Sequence, residues 1–493
     1  MNRRGVIVAV LVGLAGSVAA VPTGAAAAEE PGLTWGACPA DVNAETAPLV
    51  LECAAVPVPL DYRVPDGERI EIVISRLAST DAEARRGVLI LNPGGPGGTG
   101  LSFPALLSSR GMPDSVLDSY DVIGMDTRGI GHSAPVSCGF TDDQEYMANI
   151  PPYAVDNADV VAQAKVAKGV AEQCAAHDEG GRLRHVSTAN MARDLDRIRI
   201  ALGEEKTSFL GYSYGSALGA AYASMFPERS DRIVLDSNVG DTHLNQAGLR
   251  RFALGMEETF PDFAAWAAAR HGSYGLGRTP AEVRRTYFTL AERLDAEPVG
   301  VIDGKLFRMA TFGSLYAKSS YAPLAQAWQS VSQGEGAAMA EVAEMVVAAA
   351  PSPNDNFFSV FLAVTCNDVK WPTNVRAYQR AVAQDRERYP MFGAAPANIV
   401  PCAFWPYEQA EPPVPVNTEG PTNVLVMQNR RDPATPLRGG ELIDERFGDR
   451  SRLVSVDASG HGVYVIGDNP CALNTTTRYL VEGTLPQRDT TCR

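Results

Sequence analysis

Short apolar runs alternate with longer amphipathic stretches along the first half of the chain. "ECAAVPVPLDY" and "RIEIVISRLAS" read as two strands, joined by the turn residues "RVPDGE". Val88–Leu91 is wholly apolar and breaks into "NPGGPGGTG", as a central buried strand breaks into a loop. "DSYDVIGMDTRGIGHS" repeats that design, with a strand from about Asp121 to Met125. Tyr153 to Arg184 is helical in character. "TANMARDLDRIRIALG" places Met191, Leu195, Ile198 and Leu202 at helical spacing, with Gly203 as the stop. "TSFL" predicts a strand, "YGSALGAAYASMF" a helix halted at Pro227, and "DRIVLDS" another strand.

Strand and helix therefore alternate from about residue 85 to 240, the pattern of a mostly parallel sheet with helices on both faces. From about His243 to Tyr407 the pattern is helical, Ala-rich and aromatic, without strand alternation. After the Pro-rich "EQAEPPVPVNTEGP", strand patterns return in "TNVLVMQN" and "SRLVSVDAS". The organisation expected is one α/β core, residues 29–242 and 408–493, interrupted by a helical cap insertion at 243–407.

Composition changes this picture little. Of 493 residues, 45% are hydrophobic and 20% charged, which gives ample core and excludes a disordered chain or a coiled coil. The net charge of −15 disfavours nucleic acid and anionic membrane as partners, since both reward basic surfaces. The N-terminus matters more. Arg3 and Arg4 precede an apolar run, Gly5 to Ala20, and then small residues with A-x-A-like cleavage points after Ala20 or near Ala28. Residues 1–28 thus read as a secretory signal peptide; the run is short for a span and lacks a stop-transfer cluster. A secreted mature chain, free of the membrane, is the expectation. The general and twin-arginine export routes both stay open.

Export bears on the eight cysteines, Cys38, Cys53, Cys138, Cys174, Cys366, Cys402, Cys471 and Cys492. An even number in a secreted chain implies disulfides, although eight cysteines allow about 105 pairings. Sequence neighbours would close modest loops: Cys38–Cys53, Cys138–Cys174, Cys366–Cys402 and Cys471–Cys492. No C-x-x-C pair or histidine cluster points to a metal, and no cofactor is implied.

The chemistry concentrates in "GYSYG", which matches G-x-S-x-G between a predicted strand and a predicted helix. A turn this sharp strains the nucleophile's backbone, and Gly211 and Gly215 relieve crowding beside Ser213. A serine hydroxyl needs a base, itself oriented by an acid. His461 in "DASGHGVY" is the one histidine after the Pro-rich connector, directly behind a strand and between glycines. For the acid, Asp432 in "VLVMQNRRDPATP" follows an apolar run at the carboxyl edge of the sheet. Asp444, Asp449 and Asp457 are its rivals, Asp444 in a helical stretch and Asp457 within a strand. Two N–H groups should hold the oxyanion, one from Tyr214 and one from the glycine loop, where Gly95 is preferred to Gly94. Read as a phosphate cradle, "NPGGPGGTG" lacks the Lys-Ser/Thr ending of a P-loop.

Taken together, "LNPGGPGGTG", "DVIGMDTRGIGHS", "FLGYSYGS", "VLDS", "RDPATP" and "GHG" resemble the α/β-hydrolase fold, and within it the secreted tripeptidyl aminopeptidases of actinobacteria, relatives of the proline iminopeptidases. The resemblance implies Ser213 as nucleophile, Asp432 as acid and His461 as base. It departs from the iminopeptidases where Pro93 stands in place of the histidine that opens their H-G-G-P-G loop. It also implies that the insertion is a cap which admits only a free N-terminus of a peptide or protein. The substrate ammonium would then need a carboxylate, with Glu257, Glu258 and Asp368 as candidates. Asp126 and Arg128 are expected to hold the loop beside the site. The expected activity is a serine exopeptidase releasing tripeptides. An esterase or lipase-like hydrolase on the same triad is the alternative, and an inactive binding protein on the same scaffold a second one.

Overall fold

A computed structural model describes residues 33–141, 144, 150–348 and 354–493. The expected signal peptide lies outside the described residues. Among the described residues ten strands form one sheet: β1 (Gly36–Ala37), β2 (Glu52–Pro59), β3 (Arg69–Leu77), β4 (Gly87–Asn92), β5 (Tyr120–Met125), β6 (Thr207–Tyr212), β7 (Ser230–Asp236), β8 (Val424–Arg431), β9 (Ser451–Ser459) and β10 (Thr490–Cys492). Their order is β1-β2-β3-β5-β4-β6-β7-β8-β9-β10. Pairing is antiparallel from β1 through β3 to β5 and parallel across the rest. This is the α/β-hydrolase fold.

The central strands β4, β5 and β6 are buried at every position, as strands covered on both faces must be. Successive residues feed opposite cores. Val88, Ile90 and Phe209 pack on one face, while Leu89, Leu91 and Leu210 pack on the other. The helices Thr188–Ala201 and Tyr214–Met225 cover the first face. Short apolar segments are enough to predict most of these strands. The two-residue β1 and the three-residue β10 carry no such run, so nothing local announces them.

Between β7 and β8 the regular elements among the described residues are helices, joined by loops and accompanied by an isolated bridge pairing Val299 with Ile302. Most of these helices share a third core. Trp328 sits at its centre, ringed by Phe260, Phe263, Tyr287 and Phe307. The layer is not the contiguous block 243–407, however. Ile150, Tyr153, Val160 and Ala164 join it from the segment before β6, whereas the helix Asn354–Asp368 packs its Phe358, Phe361 and Val364 into the sheet's own core. The long helix expected over Tyr153–Arg184 forms only over Asn157–His177, where the Asp156 side chain caps its first turn. All eight cysteines are paired, each with its sequence neighbour.

Candidate active site

Ser213 stands between β6 and the helix Tyr214–Met225 with φ 55° and ψ −122°, a conformation that non-glycine residues rarely adopt. The glycines on either side are obligatory. A Cβ on Gly211 would lie 2.3 Å from the Gly215 carbonyl oxygen, and one on Gly215 would lie 2.8 Å from the Asn92 carbonyl oxygen. The Ser213 N–H donates to the Asp236 carbonyl at 2.9 Å, which ties the elbow to the end of β7.

The glycine loop after β4 lies directly against this elbow. A Cβ on Gly94 would be 3.0 Å from the Ser213 Cβ and 3.2 Å from the Tyr214 nitrogen. Tyr214 opens its helix, so its N–H has no intrahelical acceptor. The Gly94 N–H is taken by Asn92 Oδ1 at 3.0 Å, while the Gly95 N–H has no acceptor among the described residues. Those two facts favour Gly95 over Gly94 as the loop's donor. Phe357, from the helix Asn354–Asp368, is the next neighbour of Gly95, 3.3 Å from the position a Cβ would take.

Asp432 follows β8 and is fully buried. Its Oδ1 accepts the N–H groups of Ala434 and Thr435 at 2.9 and 2.8 Å, and its Oδ2 accepts the Thr435 hydroxyl at 2.8 Å. His461 Nδ1–H donates to the same carboxylate, 2.9 Å from Oδ2 and 3.0 Å from Oδ1. The rival acids stand elsewhere. Asp444 accepts the Ser451 hydroxyl, Asp457 pairs with Arg431, and Asp449 lies exposed in the turn before β9.

His461 follows β9 between Gly460 and Gly462, both at positive φ. Its own N–H donates to the Tyr316 carbonyl at 2.9 Å, and the Tyr316 ring meets the imidazole edge-on at 5.0 Å. Burial pulls the imidazole pKa down, but the charge and hydrogen bond of Asp432, with the charge of Asp236, outweigh it and leave the pKa above the ordinary 6.5. The loop's next three N–H groups end on Asp236 and Ser237. Ser213 and His461 are therefore anchored to neighbouring residues at the end of one strand.

The three candidates for the substrate ammonium have different surroundings. Glu257 accepts the Met391 N–H and pairs with Arg284 at 2.7 Å. Glu258 lies on the exposed side of the helix Gln246–Ala268. Asp368 is buried, and both its oxygens accept from Thr188. Burial pushes its carboxyl up to about 7 against those two bonds, and the charge of Glu411 adds to the rise. Thr188 Oγ1 also lies 2.5 Å from the Tyr214 hydroxyl, so Asp368 is linked to the residue after Ser213 through Thr188. Asp126 and Arg128 are fully engaged in the fold. Arg128 grips Asp194 through two bonds at 2.7 and 2.6 Å, and Asp126 accepts the N–H groups of Gly100 and His132.

The sequence singles out neither Asp236 nor Tyr316, and marks Thr435 only as part of Asp-x-x-Thr-Pro with Asp432 and Pro436, without a role. Asp236 and Thr435 stand inside the quoted motifs "VLDS" and "RDPATP", but nothing local shows what their side chains would meet.

Comparison with known proteins adds a lineage. The family model described as "TAP-like protein" matches residues 389–492. The tripeptidyl aminopeptidase of Streptomyces coelicolor is 37% identical, across 95% of this chain and 87% of its own. The serine protease Hip1 of Mycobacterium tuberculosis is 30% identical, across 89% and 87%. The carboxylesterase B of the same species is 29% identical, across 97% and 96%.

Proposed function

The chain belongs to the tripeptidyl aminopeptidase family of α/β hydrolases, and we propose that it is a secreted serine exopeptidase that releases tripeptides from free peptide N-termini. The observation that carries this reading is the 2.9 Å bond from His461 Nδ1 to Asp432, on a loop pinned to the residue that also holds Ser213. With Nδ1 committed to the carboxylate, Nε2 is left to take the Ser213 proton as the hydroxyl attacks the scissile carbonyl. Asp432 fixes that tautomer and stabilises the imidazolium. The N–H groups of Gly95 and Tyr214 hold the oxyanion. His461 then protonates the leaving amine, and water activated by the same base frees the acyl product.

The carboxylesterase among the relatives keeps one other reading open, ester hydrolysis on the same three residues. Secretion is supported by the signal-like N-terminus and by four disulfides, which persist in oxidising compartments.

A substrate panel separates the readings. The enzyme should cleave a tripeptide amide with a free N-terminus, spare its N-acetylated twin, and lose both activity and fluorophosphonate labelling on Ser213→Ala. Turnover of a short-chain ester alone would select the esterase. No turnover, with Ser213 inert to the probe, would leave a binding protein.

A further inference from the structure

β7 is apolar through Ile233, Val234 and Leu235 and then ends in a fully buried aspartate. Burying a carboxyl group is costly unless its oxygens are occupied. Those of Asp236 are. They accept the Val463 N–H at 3.0 and 3.3 Å, the Tyr464 N–H at 2.8 Å and the Ser237 hydroxyl at 2.9 Å. Ser237 Oγ in turn accepts the Gly462 N–H at 2.9 Å. The three N–H groups that directly follow His461 therefore end on two adjacent residues. No strand ladder or helix supplies acceptors there.

The backbone of Asp236 serves the other partner, since its carbonyl accepts the Ser213 N–H. Backbone strain flanks this junction on both sides, with φ 55° at Ser213 and 56° at Ser237. Strain of this kind persists only where surrounding bonds over-determine it.

We propose that Asp236, seconded by Ser237, is a positioning residue that sets the spacing of Ser213 and His461 by holding the backbone of both. This rests on reading those two residues as nucleophile and base. An amide at 236 presents one acceptor where the loop needs two, and turns an N–H₂ toward N–H donors. The histidine loop would move while the fold around it remains.

The test compares wild type, Asp236→Asn and Ser237→Ala by fluorophosphonate labelling rate, and by kcat and KM on a free-N-terminus tripeptide amide. Asp236→Asn should lose about 10²-fold in labelling rate and in kcat with KM nearly unchanged, the signature of misplaced groups rather than lost binding. Ser237→Ala, which removes one anchor of three, should show the same split at smaller size. A folded Asp236→Asn protein with wild-type labelling and kcat overturns the proposal. Should Asp236→Asn fail to fold, Ser237→Ala decides: slowed labelling supports the proposal, and an unchanged rate overturns it. Labelling needs no peptide turnover, so a wild type that reacts with the probe but spares the peptide counts against the exopeptidase reading alone.

Discussion

Thr188 and Asp368 are joined twice. The Thr188 N–H donates to one carboxylate oxygen at 2.8 Å, and its hydroxyl lies 2.5 Å from the other. Thr188 opens the helix Thr188–Ala201, while Asp368 closes Asn354–Asp368, two residues beyond the Cys366–Cys402 disulfide. Among the described residues no basic side chain pairs with this carboxylate, and burial dominates its titration.

A pH dependence of stability follows, and its sign is set by which state binds the proton. Asp368 and Asp236 are both pushed up from 3.8 to about 7, chiefly by burial. Between pH 4 and 7 the unfolded chain releases protons that the folded chain keeps. Stability therefore falls as pH rises through that window, by about 1.4 kcal/mol per pH unit for each such group. In Asp368→Asn one of these penalties disappears. Its melting temperature, relative to wild type, should climb between pH 5 and pH 8, and a constant difference across that range would refute the assignment.

The activity profile should report His461. Its pKa is raised above 6.5 by Asp432 against the pull of burial, so kcat/KM should rise with pH through a midpoint above 6.5. In Asp432→Asn the support is withdrawn and the tautomer no longer fixed. That variant should lose about 10⁴-fold in kcat, with the midpoint of its residual activity shifted to lower pH.

Thr435 gives the acid one of its hydrogen bonds through the side-chain hydroxyl. Thr435→Val keeps the volume and deletes the hydroxyl. A hydrogen bond to a charged group contributes about 1.5–3 kcal/mol, so denaturant titration should show a loss of that order. Steady-state kinetics should show a lower kcat at unchanged KM.

Glycines offer a paired contrast. Gly94 has φ +97°, and a Cβ there would stand 2.4 Å from the Tyr212 carbonyl oxygen. Gly94→Ala should displace the loop and cost about 10²-fold or more in kcat, as loss of one oxyanion donor does. Gly169 is exposed inside the helix Asn157–His177 with nothing within 4 Å of its Cβ position. Gly169→Ala should leave kcat alone and raise stability by about 1 kcal/mol in thermal unfolding.

Features that depend on neighbours along the chain are legible in the amino-acid order. Strands β2 to β9 announce themselves as apolar or alternating runs, and the serine elbow announces itself through glycines at plus and minus two, because side-chain period and turn sterics are local properties. The cysteines are a mixed case: an even number in a secreted chain implies disulfides, but the pairing of each with its sequence neighbour is one of about 105 that the sequence leaves open. Which carboxylate meets which donor is set only in three dimensions. Asp432 and His461 are 29 residues apart, Asp236 and Tyr464 are 228 apart, and Thr188 and Asp368 are 180 apart. Asp368, a candidate for the substrate ammonium on its sequence, turns out to brace the first turn of a core helix. A charged side chain looks the same in sequence whether water or a buried N–H will receive it. Only the path of the loops, fixed by the packing of the whole sheet, chooses between them.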